Sequence, residues 1–200
     1  MTKIAVFRAD ASVEIGGGHV SRCLALAKQM AQFGWRVSVA CTSETPATMP
    51  ALKIGTCDIV ELIGEQRDEP NDLRRRWPDG VDILVVDHYG RNANFERACR
   101  DWARRIVVLD DTPNRTHDSN LLLDPTPGRL STEYDHLVDP SCERLVGPDY
   151  ALIDARFRGE RQGALTRREE IEPVRRIFVN FGAGDRKGAT LKALDGIAAS

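Results

Sequence analysis

Runs of apolar, β-forming residues alternate along the first 111 residues with segments whose apolar positions repeat at helical spacing. The runs KIAVF (3–7) and VDILVVD (81–87) are almost uninterrupted, which predicts strands buried on both faces of a parallel sheet. From 20 to 33, apolar residues recur mostly every three or four positions, and Gly34 follows as a helix stop. Strand, helix and strand in this order are typical of a doubly wound α/β domain.

Further strands follow the same plan. WRVSVAC (35–41), CDIVELI (57–63) and RIVVLDD (105–111) are predicted strands, and NANFERACRDWARR (92–105) has apolar residues at helical spacing. SNLLLDPTPG and CERLVGPDYALID are short apolar runs cut by Pro and Gly, which indicates brief edge strands and loops. The predicted fold is therefore a Rossmann-like, doubly wound parallel sheet, in which ligands bind outside the carboxyl ends of the strands.

The chain also divides by composition. Residues 1–156 are predicted to form the Rossmann-like N-terminal domain, and the charged segment 157–173, which lacks an apolar stripe, is predicted to be a linker. VRRIFVNFGAGD (174–185) repeats the opening pattern of a β-rich run entering a Gly-rich turn, and a helical ATLKALDGIAA follows. We therefore expect 174–200 to be the start of a truncated second domain, and the natural protein to be longer.

Composition excludes several classes of function. With 28 basic and 30 acidic residues, the chain has no overall field that would attract nucleic acid or an anionic membrane. No apolar run approaches the roughly 20 residues of a membrane span, and an acidic residue comes too early for a secretory signal. The five cysteines are scattered without a C-x-x-C pair, which indicates reduced thiols. We expect a cytoplasmic protein with a small polar ligand.

A glycine-rich loop, Gly16 to Gly18, follows the first predicted strand. It differs from the dinucleotide-binding fingerprint, because Ser21 stands where the third glycine is needed and the loop begins eight residues after the strand. A dehydrogenase is therefore disfavoured. Glycines still allow backbone N–H groups to approach an anion at a helix N-terminus, so the loop fits a nucleotide diphosphate or a sugar.

His19 comes directly after these glycines, in what is predicted to be the first helical turn. The positive end of a helix dipole favours the neutral imidazole, which can accept a proton. The alternative is that His19 caps the helix or packs under the loop.

Polar residues also follow two other strands. Asp87 could orient a histidine or a sugar hydroxyl, and Tyr89 could contact a sugar or simply pack. For Asp110 and Asp111, capping of the turn and pairing with Arg115 are favoured over catalysis.

The first loop has its own candidate pair. Arg8 and Asp10 could brace it by pairing with each other. No Ser-His-Asp spacing, G-x-S-x-G elbow, Walker loop or H-E-x-x-H motif is present in the sequence.

Several motifs together resemble one family. RADASVEIGGGHVSRCLALA, VVDHYG, LDDTPNRTHDSNLLLD, LVGPDYALI and FVNFGAGD occur in the order and approximate spacing of the UDP-2,4-diacetamido-2,4,6-trideoxy-β-L-altropyranose hydrolases of pseudaminic acid biosynthesis. The resemblance runs from residue 4 to about residue 195, and the first motif is matched in full. The chain departs from the family with G-A-G-D at 182–185 in place of G-G-S-D, and with YALID in place of YALLR.

This resemblance implies a two-domain fold similar to the GT-B glycosyltransferases, of which the chain would be the N-terminal half. It implies hydrolysis of a UDP-sugar by water, with inversion and without a metal or cofactor, by a monomer that binds neither nucleic acid nor membrane. His19 is the implied catalytic residue. The expected substrate-binding residues are Arg8, Asp10, Gly16, Gly17, Gly18, Asp87, Tyr89, Gly182, Gly184 and Asp185.

Two other functions remain open at this stage. A glycosyltransferase could use the same cleft, in which case release of UDP would require an acceptor other than water. A non-catalytic sugar-nucleotide-binding module would have His19 turned away from the cleft or sealed in the core.

Overall fold

A computed structural model of the protein describes residues 2–50, 52, 57–63, 68–169, 173–182, 185 and 188–199. Within these ranges, seven strands form one parallel sheet in the order β3-β2-β1-β4-β5-β6-β7. The strands are β1 (Ile4–Ala9), β2 (Arg36–Cys41), β3 (Asp58–Glu61), β4 (Ile83–Asp87), β5 (Ile106–Leu109), β6 (Leu121–Asp124) and β7 (Glu143–Val146). The predicted Rossmann-like, doubly wound sheet is confirmed.

Helices connect the strands. They are α1 (Gly18–Gln32), α2 (Thr45–Thr48), α3 (Glu69–Arg76), α4 (Ala93–Cys99), α5 (Arg156–Glu169) and α6 (Ala189–Ala198), with 3₁₀ turns at Ser131–Tyr134 and Pro148–Tyr150. The predicted helix over 20–33 begins two residues earlier than expected, at Gly18. None of the helices in the described ranges is long and apolar enough to cross a membrane.

The sheet is covered on both faces, which explains its uninterrupted apolar strands. Phe7 and Val85 pack on one face with Val20 and Leu24 of α1. On the other face, the neighbouring strand residues, Val6 and Leu84 among them, pack with residues of α3 and α4. Because successive side chains of a strand point to opposite faces, a central strand between two helix layers needs apolar residues at every position.

The sheet order determines where a site can form. From β1 the chain crosses to β2 on one side, and from β4 it crosses to β5 on the other, so β1 and β4 are neighbours at the point where the winding reverses. Ala9 and Asp87 are paired in register at the carboxyl ends of these two strands. Doubly wound sheets open a crevice at such a point, and the loops after β1, β4 and β5 surround it.

The C-terminal part departs from one sequence expectation. Residues 156–169, which overlap the predicted linker, form α5, a helix without a buried side chain. Residues 173–182, where a β-rich run was expected, adopt no strand. A strand needs a neighbouring strand for its backbone hydrogen bonds, and none of the strands in the described ranges pairs with it. The predicted helix in 189–199 is confirmed as α6, while the domain boundaries stay a prediction.

Candidate active site

The loop after β1 turns the chain back toward the sheet before α1 begins. Gly16 donates its N–H to the Ser12 carbonyl at 2.8 Å and has a φ of 76°, which a residue with a Cβ adopts only at a cost. The Ser12 hydroxyl accepts hydrogen bonds from the amides of Glu14 and Ile15. This tight turn places Gly17 at the N-cap of α1, where a Cβ would collide with the Met49 sulfur.

The N-terminus of α1 presents backbone amides. The Ser21 N–H donates to the Gly17 carbonyl at 3.0 Å, the first hydrogen bond of the helix. The amides of Gly18, His19 and Val20 come before it and have no acceptor within the helix. Gly18 is exposed, and a Cβ there would meet no atom within 4 Å. The positive end of α1 is therefore accessible beside the glycine loop, as the sequence predicts.

His19 lies in the first turn of α1, as predicted, and its side chain reaches the end of β4. Its Nδ1 lies 2.6 Å from Oδ1 of Asp87, although the two residues are 68 positions apart. A carboxylate can only accept here, so Nδ1 carries the hydrogen that is donated to Asp87. Asp87 thus contacts a histidine, while its predicted role in orienting that histidine or a sugar hydroxyl stays a prediction.

The imidazole is nearly enclosed. His19 is 7% exposed, and the ring of Tyr89 stands edge-on to it with the ring centroids 4.5 Å apart. Tyr89 itself is 48% exposed. His19 is therefore nearly buried, and the half-exposed Tyr89 ring packs against it.

Asp87 is fully buried and is held from the same helix by Arg22. The guanidinium donates from Nε to Oδ2 at 2.6 Å and from Nη2 to Oδ1 at 2.7 Å. Burial by itself raises the pKa of the Asp87 carboxyl, and the hydrogen bonds from Arg22 and His19 outweigh it, so this pKa lies below its usual range. Asp87 is thus an ionised acceptor. Burial raises the pKa of the neighbouring Cys23 thiol, which is therefore no nucleophile.

Arg22 also connects Asp87 to the loop after β5. Its Nη1 donates to Oδ2 of Asp111 at 2.8 Å, and Oδ1 of Asp111 accepts the Tyr89 hydroxyl at 2.8 Å. The pKa of Tyr89 is raised to about 12, by burial and by this carboxylate. His19, Asp87, Arg22, Asp111 and Tyr89 therefore form a closed ring of contacts, which we call the His19 ring.

Sequence reasoning did not single out Arg22. Its position three residues after His19 on a helix could have indicated it, because residues at this spacing share a helix face.

A second ion-pair cluster lies beneath the first loop. Arg8 is fully buried and pairs with Asp10 at 2.8 Å and with Glu69 at 2.5 Å, and Arg91 also bonds to Glu69. Asp10 lies 3.2 Å from Nε2 of His88. The predicted bracing pair of Arg8 and Asp10 is confirmed, while their role as substrate contacts stays a prediction.

Asp110 organises the turn after β5. Arg115 pairs with it at 2.9 Å, and the Thr112 amide donates to it at 3.3 Å, as expected of a residue that caps a turn. His117 lies between Asp110 and Glu96, both of which are fully buried. The sequence analysis did not identify this buried histidine, because Glu96 and His117 show no local pattern that would join them.

The expected residues near the C-terminus have local roles. Asp185 caps α6 by accepting the amides of Ala189 and Thr190 at 2.7 and 2.9 Å. Gly182 has a φ of 84°, and its N–H donates to the Asn180 side chain. These contacts do not include the His19 ring, and Gly184 lies outside the described residues.

Across the part of the chain that the structure describes, no group of three or more His, Cys, Asp or Glu side chains is arranged to hold a metal ion.

Comparison with known proteins gives two curated relatives. The UDP-2,4-diacetamido-2,4,6-trideoxy-beta-L-altropyranose hydrolase of Campylobacter jejuni is 30% identical over 195 residues, covering 94% of this chain and 63% of that protein. An uncharacterized protein of Methanocaldococcus jannaschii is 22% identical over 195 residues, covering 96% of this chain and 39% of that protein. The chain thus spans less than two thirds of the length of each.

No protein-family model matches the chain, but its fold is similar to solved structures, among them that of a MurG. The crystal structure of MurG from Acinetobacter baumannii has a TM-score of 0.49 and 16% sequence identity, covering 72% of this chain and 45% of that one.

Proposed function

We propose that this chain is the N-terminal half of a GT-B-like enzyme that hydrolyses a UDP-linked 2,4-diacetamido-2,4,6-trideoxy sugar to the free sugar and UDP, in pseudaminic acid biosynthesis. The observation that carries the proposal is the His19–Asp87 pair, set at the N-terminus of α1 where β1 and β4 end. The 30% identity to a hydrolase of that description supports the substrate class.

His19 is the proposed general base. Its Nε2 accepts a proton from the water that attacks the anomeric carbon, and the Asp87 carboxylate at Nδ1 stabilises the imidazolium that forms. The water's oxygen forms the new bond to the anomeric carbon as the bond to the UDP oxygen breaks on the opposite face, which inverts the configuration.

The departing UDP needs only stabilisation of its charge, since a diphosphate is a good leaving group. Backbone amides of Gly17 and Gly18 at the N-terminus of α1 are the proposed donors, because amides at helix N-termini favour anions. Tyr89 is the proposed sugar contact: its ring is half-exposed and packs against His19, so its movement would admit water to Nε2.

One observation favours a second candidate, a non-catalytic sugar-nucleotide-binding module. His19 is only 7% exposed, and a base must reach its water. In that case UDP-sugars would bind to the protein without being turned over.

The deciding experiment incubates the natural full-length protein with UDP-sugars in oxygen-18 water. We expect label in the anomeric hydroxyl of the free sugar, whereas label in UDP would mean attack at phosphorus and would refute the role of His19. UDP release only after addition of an acceptor would indicate a glycosyltransferase, and binding without turnover would indicate the module.

Variants test the base directly. His19→Ala should lower kcat by about 10² to 10⁴ while KM stays within a few-fold, because general-base assistance acts in the transition state. The matched control is His136→Ala, an exposed histidine after β6, which should retain full turnover. Unchanged turnover in His19→Ala would rule out the proposed mechanism.

A further inference from the structure

We infer that Arg22 is a positioning residue that keeps His19 in the form able to accept a proton, by neutralising the buried Asp87 carboxylate and by holding Asp111 and Tyr89 around the imidazole. This inference rests on the proposed function for its catalytic consequence. The geometry that carries it does not depend on the substrate.

The contacts of Arg22 leave its guanidinium little freedom. Nε and Nη2 make a two-point contact with Asp87 at 2.6 and 2.7 Å, and Nη1 bonds to Asp111 at 2.8 Å. Nη2 also lies 3.4 Å from Nδ1 of His19. A planar fork that satisfies two carboxylates in this way is specific to arginine, since a lysine ammonium cannot make the same paired contacts.

The charges around His19 explain how Arg22 affects a general base at this position. A buried carboxylate next to an imidazole stabilises the imidazolium, and an imidazolium cannot accept the proton of water. With Arg22 in place, neutral His19, Asp87 and Arg22 together carry no net charge, so a proton added to His19 creates an excess positive charge beside a guanidinium. Arg22 therefore disfavours protonation of His19 in the resting enzyme.

Other charged and titratable groups around His19 also affect its electrostatic environment. Cys23 on α1 contacts Asp87, and the Tyr89 ring, from the loop after β4, packs against His19 while its hydroxyl donates to Asp111. Asp111, after β5, carries a second negative charge, but it is partly exposed and is itself paired with Arg22. Arg115 lies over the Tyr89 ring and is itself paired with Asp110. None of these groups replaces Arg22 as the cation in contact with Asp87.

Arg22 also has an orienting role. Asp111, which Arg22 holds, is the acceptor of the Tyr89 hydroxyl, and Tyr89 packs edge-on against His19. Loss of Arg22 would therefore release both the carboxylate that orients His19 and the ring that covers it.

Two substitutions separate charge from geometry. In Arg22→Gln we expect kcat at pH 7 to fall at least tenfold, with the acid limb of the pH–rate profile moved about one pH unit upward, so that part of the loss is recovered at pH 9. Arg22→Lys should keep the acid limb near its normal position because the charge remains. A residue that only supported the fold would lower activity equally at all pH values, and that result would overturn the inference.

A measurement independent of turnover uses nitrogen-15 NMR of the imidazole rings in the full-length protein. The sequence holds four histidines, and His19→Gln identifies the signals of His19. We expect a neutral ring with hydrogen on Nδ1 at pH 7 in the parent protein, and a larger protonated fraction in Arg22→Gln. Equal protonation of His19 in both proteins would also overturn the inference.

The chain offers a matched control. Arg144 has nearly the same side-chain exposure as Arg22, 17% against 18%, and bonds to the Asp135 carboxylate at 2.5 Å and to the Ser131 carbonyl, neither of which belongs to the His19 ring. Arg144→Gln should leave the His19 signals unchanged; an equal shift in this variant would mean a general response to a lost ion pair and would contradict the inference. If no UDP-sugar is hydrolysed by the parent protein but the NMR shift appears in Arg22→Gln, the proposed function fails while the role of Arg22 stands.

Discussion

Replacement of His117 by glutamine should destabilise the protein in a manner that depends on pH. The His117 Nδ1 lies 2.7 Å from Glu96 and its Nε2 lies 3.4 Å from Asp110, and both carboxylates are fully buried. Burial alone would lower the pKa of His117, but the Asp110 and Glu96 carboxylates, which accept from the imidazole and favour its charged form, outweigh burial, so this pKa is raised. His117 is therefore a buried cation between two anions at neutral to acidic pH.

The loss of stability in His117→Gln depends on the hydrogen bonds that the Glu96 and Asp110 carboxylates retain. Glu96 still accepts the Asp118 amide at 2.5 Å, and Asp110 still pairs with Arg115 at 2.9 Å. Removal of one partner from a buried ion pair typically costs about 3 to 5 kcal/mol of unfolding free energy. Because both carboxylates retain a partner, we expect the lower end of this range, about 3 kcal/mol. At an m-value of about 2 kcal/mol per molar urea, this loss lowers the unfolding midpoint by about 1.5 M.

The sign of the pH dependence is determined by linkage. A histidine with a raised folded-state pKa contributes stability that is complete below its unfolded pKa of about 6.5, and that is lost as the pH rises through the raised folded value. The pKa of Asp110 is lowered, so its contribution is present above its ordinary value and is lost in acid. The difference between parent and His117→Gln should therefore be largest between about pH 4 and 6.5.

Urea unfolding followed by circular dichroism at pH 6 and pH 9 measures this difference. His136→Gln, a substitution of an exposed histidine, is the control and should change the free energy of unfolding by less than about 0.5 kcal/mol. A difference between parent and His117→Gln that is equal at the two pH values, or larger at pH 9, would refute the reasoning.

Three further outcomes can be checked. Asp87→Asn should lower kcat by about 10³- to 10⁴-fold in the oxygen-18 assay, with KM nearly unchanged. An amide in place of the carboxylate favours the histidine tautomer that has its hydrogen on Nε2, which cannot accept a proton there. A loss below tenfold in a folded variant would contradict this. Leu84→Ala, in the fully buried centre of β4, should cost about 2 to 5 kcal/mol in urea unfolding, whereas Ile153→Ala, at a position 64% exposed, should cost less than about 0.5. Gly16→Ala should cost about 1 to 2 kcal/mol because of its positive φ, and Gly18→Ala, in the helix, should not destabilise the fold.

Local sequence patterns determined the elements of this protein. The apolar runs located β1 and β4 because both faces of a central parallel strand are buried, and the spacing of apolar residues located α1 to within two residues of its start. The glycines before His19 correctly indicated a helix N-terminus, since this feature depends on residues close together in the chain. The prediction of a strand after residue 173 was wrong, because a strand depends on a neighbouring strand that its own residues do not specify.

Tertiary structure alone decided the contacts of the site. The sequence placed His19 at the start of a helix and Asp87 at the end of a strand, but only the adjacency of β1 and β4 at the reversal of the sheet brings them to 2.6 Å. The contact between Arg22 and Asp111 likewise depends on how α1 lies across the sheet. Which residues of a strand or helix are buried can be predicted from residues close together in the chain. The contact between His19 and Asp87, 68 positions apart, depends on strand order, which no local pattern predicts.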